Sequence, residues 1–228
     1  MRIEMQGRAR VVPISPMCVH WQGESECPAP DCYRRVPCAW ADEAWALGKY
    51  STPKLRASDS GFAHFGELIN QLKYSVSTTQ EYWADCLQSL AEQTARFVEG
   101  RLARSFEVCL VVPGNRPNTV SVMGEVAKHL ITTGQVERIA QMERRSNIRI
   151  LKQVAHEQRA EEVDGGYQLS GVRLSQPRAH ILILDDVFDT GATLNEVAKT
   201  ARRAAPSAYI AGVCATYLRD PKELVWKQ

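Results

Sequence analysis

Apolar residues are irregularly spaced up to about residue 60, fall at helical intervals to about residue 104, and then form short unbroken runs alternating with helical stripes. Trp83, Cys86, Leu87, Leu90, Ala91, Thr94, Phe97, Val98 and Leu102 recur every three or four residues. That spacing buries one face of a helix and predicts one over 82–102, preceded by a shorter helix over 65–74. Val108-Cys109-Leu110-Val111-Val112, stopped by Pro113-Gly114, has the length and composition of a buried strand. Val122, Met123, Val126, Ala127 and Leu130 predict a helix, 136–142 a second strand and 181–184 a third. Leu194, Val197, Ala198 and Ala201 form one more helical face, and 208–216 reads as a closing strand. Strands that are apolar throughout and alternate with helices predict an α/β fold, a parallel sheet flanked by helices. The charged stretch between Arg144 and Arg178 fits a mobile excursion better than a sheet element.

Length and composition add a boundary and several exclusions. The 228 residues make one substantial domain with an appendage, and Pro13, Pro16, Pro28, Pro30, Pro37 and Pro53 crowd the end that lacks periodicity. The expected division is a cysteine-rich module over 1–59 and an α/β domain over 60–228. A net charge of +2 argues against a protein that lives mainly on nucleic-acid phosphates, local patches aside. No apolar run approaches the roughly 18 residues of a membrane span, so no membrane association is expected. The first residues lack the apolar core of a secretory signal, so a cytoplasmic location is expected, with cysteines present as thiols or metal ligands.

Chemistry concentrates in Ile181-Leu182-Ile183-Leu184-Asp185-Asp186-Val187-Phe188-Asp189-Thr190-Gly191-Ala192-Thr193. A buried strand delivers two carboxylates to the carboxyl edge of a parallel sheet, where ligands of open α/β folds bind. The chain then turns through Asp189, Thr190, Gly191, Ala192 and Thr193 into a helix whose N-terminal N–H groups attract a phosphate. Carboxylates suit hydroxyls or a bound Mg²⁺, so one phosphorylated sugar spans both halves. The plain alternative is that the acids merely end a strand and that Thr193 with Glu196 forms a capping box; the two readings are compatible.

This segment resembles the phosphoribosyl-pyrophosphate (PRPP) signature of type I phosphoribosyltransferases, and within them the ComF-like branch. That branch is also similar in its cysteine-rich N-terminal zinc knuckle, in a segment like Leu68-Ile69-Asn70-Gln71-Leu72-Lys73-Tyr74, and in a Gln and an Arg ahead of the signature, here Gln153 and Arg159. The resemblance implies that Asp185 and Asp186 hold the ribose hydroxyls, and that the 189–193 loop takes the 5′-phosphate. It further implies that Mg²⁺ accompanies PRPP, that pyrophosphate is the other product of transfer to or from a nitrogenous base, and that DNA-handling proteins are partners. One departure stands out. Where the branch carries an arginine-bearing loop at the pyrophosphate, this chain reads Pro113-Gly114-Asn115-Arg116-Pro117-Asn118-Thr119-Val120-Ser121, with Arg116 as the only charge. An ordinary strand-to-helix turn is the alternative there. A non-catalytic PRPP- or nucleotide-sensing accessory protein is therefore the rival function.

Cys18, Cys27, Cys32 and Cys38, with His20 close to the first, offer soft ligands in a segment without a hydrophobic pattern, which a tetrahedral Zn²⁺ would order. The spacing does not give two clean Cys-x2-Cys pairs, so unrelated thiols remain the alternative, and His20 competes for the fourth position. Cys86, Cys109 and Cys214 occupy core positions and read as small hydrophobes. His129 and His180 are isolated from any nucleophile. Trp21, Trp40 and Trp45 beside Arg34 and Arg35 pack a small module more readily than they stack on nucleic acid.

Overall fold

A computed structural model describes residues 33–50, 64–74, 79–114, 120–145, 153–170 and 179–218. Among the described residues seven strands form one sheet: β1 (Arg34–Arg35), β2 (Glu43–Ala46), β3 (Phe106–Val111), β4 (Val136–Arg144), β5 (Tyr167–Ser170), β6 (His180–Phe188) and β7 (Tyr209–Tyr217). Their order is β1-β2-β7-β6-β3-β4-β5. The five central strands are parallel, and the outer two, β1 and β5, run antiparallel to their neighbours. The helices are α1 (His64–Tyr74), α2 (Gln80–Phe97), α3 (Val122–Thr132), α4 (Arg159–Val163) and α5 (Ala192–Ala204).

Alternation along the strands divides the core in two. Leu182 and Leu184 face a cluster built with α1, α2 and α3, including Phe65, Leu90, Phe97, Val126 and Leu130. Ile181 and Ile183 face the other cluster, with Leu194, Val197, Ala198 and Ala201 of α5 and Val163 of α4. All four β6 side chains are buried. At roughly 1.5–3 kcal/mol each they contribute on the order of 10 kcal/mol of burial to the strand that carries the two acids. Gly212 on β7 is the close-approach point for α5: a Cβ there would lie 3.0 Å from Leu194 Cδ1 and 3.3 Å from Ala44 Cβ. Helix starts follow local chemistry, with Thr79 Oγ1 accepting from the Tyr82 N–H (3.2 Å) and Ser121 Oγ from the Gly124 N–H (3.1 Å).

One expectation is refined and two are corrected. The helix over 82–102 is α2 followed by a π-helical turn at Val98–Leu102, ending on Ala103 with φ 50°. The 144–178 stretch, expected to be a mobile excursion, supplies a 3₁₀ turn (His156–Gln158), α4 and β5, which pairs Tyr167 opposite Arg144 and Leu169 opposite Met142. Its polar sequence hid this because a four-residue edge strand needs only one buried anchor, Tyr167. Residues 33–50, expected in a separate 1–59 module, place β2 in the main sheet beside β7, with Ala44 opposite Gly212 and Ala46 opposite Cys214. The alternation Glu43-Ala44-Trp45-Ala46, half-buried and buried by turns, is too short to stand out as a period.

Candidate functional site

In sequence β3 leads through α3 to β4 on one side, and β6 leads through α5 to β7 on the other. The strand order therefore reverses between β3 and β6, with α3 and α5 on opposite faces, and the carboxyl ends of these two neighbours frame a crevice. β3 ends at Val111, opposite Leu184, and the Val112 N–H makes a last bond to the Leu184 carbonyl (2.9 Å). β6 runs on to Phe188 along β7. Asp185 and Asp186 thus lie where β6 outruns β3.

The two acids meet different surroundings. Asp186 forms an ion pair with Lys73 at the end of α1. Its own N–H donates to Asp185 Oδ1 (2.8 Å), and Thr216 Oγ1 donates to its carbonyl (2.9 Å). Burial would lower the Lys73 pKa, but the charge of Asp186 and the hydrogen bond to it leave the ammonium above its ordinary value. Asp185 is opposite Cys214 in the ladder, and burial, then the charge of Asp186, pushes its pKa up to about 7. Tyr167 of β5 senses the same carboxylate: burial and then Asp185 raise its phenol, while Arg144 and a hydrogen bond with Thr193 lower it.

From Phe188 the chain turns through Asp189, Thr190 and Gly191 into α5. Gly191 is the N-cap at φ 77°, a left-handed conformation that glycine adopts without steric cost. The capping box of the plain alternative, Thr193 with Glu196, is not formed, since the N-cap is Gly191. Glu196 instead accepts from the Gly165 N–H (2.9 Å) and pairs with Lys199 (3.2 Å). Apart from a 3.5 Å contact between the Ala192 N–H and Thr190 Oγ1, no side chain caps α5 among the described residues. The first turn therefore keeps donors for an anion, and the helix dipole favours one there. Asp189 is held from the 153–163 segment: the buried Arg159 donates its guanidinium to Asp189 and its Nε–H to the Val154 carbonyl (3.2 Å), with His156 Nδ1 at 4.0 Å from the same Asp189 oxygen.

The structure therefore brings Asp185, Asp186, Asp189, Thr190, Gly191, Ala192 and Thr193 to one sheet edge. Arg116, Cys18, Cys27 and Cys32 lie outside the described residues, as do His20 and Trp21. Cys38 packs at the start of α5, its Sγ 3.8 Å from Asn195 Oδ1, which also accepts from the Ala39 N–H (2.9 Å). Burial raises its thiol pKa above the ordinary value. No cluster of three His, Cys, Asp or Glu fit to hold a metal occurs among the described residues. His180, at the opposite end of β6, stacks edge-on to Tyr209 and has Nδ1 3.0 Å from the Ser105 carbonyl. Trp45 packs against Phe97 under the Arg101 guanidinium, whereas Trp40 is exposed. Tyr167 escapes sequence reasoning; Lys73 falls within the 68–74 segment that carries the resemblance, but with no role attached, and locally it reads as a basic residue in the last turn of an amphipathic helix.

No family model and no curated protein matches the chain. Among solved structures it is similar to Helicobacter pylori xanthine-guanine-hypoxanthine phosphoribosyltransferase, with 13% identity and TM-score 0.37 over 62% of this chain and 84% of that one. A Staphylococcus aureus hypoxanthine phosphoribosyltransferase gives 16% identity and TM-score 0.35 over 64% and 79%. A Trypanosoma cruzi hypoxanthine phosphoribosyltransferase gives 13% and 0.37 over 71% and 70%.

Proposed function

We propose that this chain binds PRPP, or a related ribose 5-phosphate ligand, and transfers the phosphoribosyl group to or from a nitrogenous base with pyrophosphate as the other product. One observation carries the reading: the Gly191 turn at the uncapped start of α5 stands beside Asp185 and Asp186 at the point where the strand order reverses. Backbone N–H groups of that turn suit the 5′-phosphate, and the carboxylates suit ribose hydroxyls. Phosphoribosyl transfer passes through a cationic sugar centre, so positioning and charge placement serve it better than a covalent nucleophile does.

Asp185 and Asp186 supply hard oxygen donors of the kind Mg²⁺ accepts, and two carboxylates suit a cation that shares its remaining positions with ligand oxygens and water. Bound there, Mg²⁺ would supply charge to the leaving pyrophosphate. The chain's own residues fix the sugar phosphate between the α5 turn and the acids, and Arg159 holds Asp189 in place at the edge of that turn.

A second reading, a PRPP- or nucleotide-sensing accessory protein working with DNA-handling partners, is favoured by the 113–121 loop, where Arg116 is the only charged side chain. Calorimetry with Mg²⁺ and PRPP, run beside a pyrophosphate-release assay over a panel of bases, separates the two. Binding with release supports transfer, binding without release supports the sensor, and absence of binding defeats both. Zinc at Cys18, Cys27, Cys32 and Cys38 stands as an independent proposal, decided by elemental analysis of purified protein: one zinc per chain is expected, and zinc-free protein refutes it.

A further inference from the structure

We propose that Lys73 is the residue that binds the pyrophosphate group of PRPP; this rests on the phosphoribosyl reading above. The placement follows from which face of the sheet each partner comes from. The Gly191 turn belongs to α5, on one face, whereas Lys73 ends α1, which packs with α2 and α3 on the other. A ligand with its 5′-phosphate at that turn and its ribose hydroxyls on Asp185 and Asp186 extends its C1 substituent away from α5. That direction leads to the α1 side of the crevice, where the Lys73 ammonium already lies against Asp186.

The chemistry matches the position. An ammonium has three donors, so Lys73 can keep Asp186 and still offer hydrogen bonds to phosphate oxygens. Its side chain is 29% exposed and that of Asp186 is 27% exposed, so the pair opens to solvent rather than being sealed in the core. The end of α1 is fixed by the Trp83 indole N–H, which donates to the Leu72 carbonyl (3.3 Å). A preorganised cation at a departing anion is a large catalytic contribution, and the 113–121 loop has only Arg116 to give. Arg159 does not fill this role, because its buried guanidinium is committed to Asp189 on the α5 face.

The test is calorimetry on the full chain with Mg²⁺, comparing PRPP with ribose 5-phosphate for wild type, Lys73→Met and Lys73→Arg. Lys73→Met should weaken PRPP binding about 10- to 100-fold, the range of one charge-assisted hydrogen bond, and Lys73→Arg should recover most of the loss. Ribose 5-phosphate affinity should hardly change. Unchanged PRPP affinity in Lys73→Met overturns the inference, and so does an equal loss for ribose 5-phosphate, which would make Lys73 only a support for Asp186. On wild type, where folding is not at issue, Mg²⁺ with inorganic pyrophosphate should slow acetylation of Lys73 several-fold by peptide mass spectrometry, and ribose 5-phosphate should not; equal protection overturns it too. Wild type that binds neither PRPP nor ribose 5-phosphate defeats the phosphoribosyl reading itself, and Lys73 falls with it.

Discussion

Replacing Arg159 with Met removes a buried charge that ties the 153–163 segment to the α5 turn. The substitution keeps most of the side-chain length, so little cavity forms. It removes the guanidinium from Asp189 and the 3.2 Å bond to the Val154 carbonyl. Removing one partner of a fully buried ion pair costs about 3–5 kcal/mol, and an exposed pair is worth about 0–1 kcal/mol. The Arg159 side chain is 9% exposed and that of Asp189 22%, so water reaches the orphaned carboxylate in part. The expected loss lies between those limits, at about 2–3 kcal/mol. Urea unfolding of wild type, Arg159→Met, Asp189→Asn and the double variant closes a cycle, in which the double variant should lose less than the sum of the single ones by more than about 1 kcal/mol. Amide exchange over 153–163 should quicken in Arg159→Met while the β6 amides stay protected. A coupling below about 0.5 kcal/mol would show that the pair does not hold the segment.

Gly191→Val forces a β-branched residue to φ 77°, which should cost about 1–3 kcal/mol and abolish ribose 5-phosphate binding; normal binding in calorimetry would mean that the turn only starts a helix. The folded chain keeps the Asp185 proton up to about pH 7, whereas an unfolded Asp releases it near ~4, so the folded state binds more protons and stability falls as pH rises through that window. Asp185→Asn should flatten this slope and stabilise the protein most at pH 8; identical pH slopes in urea midpoints would refute the assignment. Gly212→Ala sets a methyl 3.0 Å from Leu194 and should cost about 1–3 kcal/mol, with Leu194→Ala relieving part of it in the double variant; strict additivity would mean that α5 does not press on β7 there.

Elements whose burial repeats over many residues, and chemistry confined to one continuous segment, are legible from residue order. Ile181-Leu182-Ile183-Leu184 declares a buried strand, and Asp185 to Thr193 declares acids, turn and helix start, because each feature depends on neighbours within about ten residues. The left-handed turn at Gly191 is legible in the same way. Membership of Glu43–Ala46 and Tyr167–Ser170 in the sheet emerges only in three dimensions, since short strands near the sheet edges carry almost no period of their own. So does the answer to which cation meets which acid. Lys73 meets Asp186 across 113 residues and Arg159 meets Asp189 across 30, pairings set by strand order and by which face each helix covers. Glu196 shows the competition directly: its position in the chain fits a cap for Thr193, but the packing of α4 and β5 against α5 brings the Gly165 N–H within reach, Lys199 lies one turn on in α5, and the carboxylate goes to them.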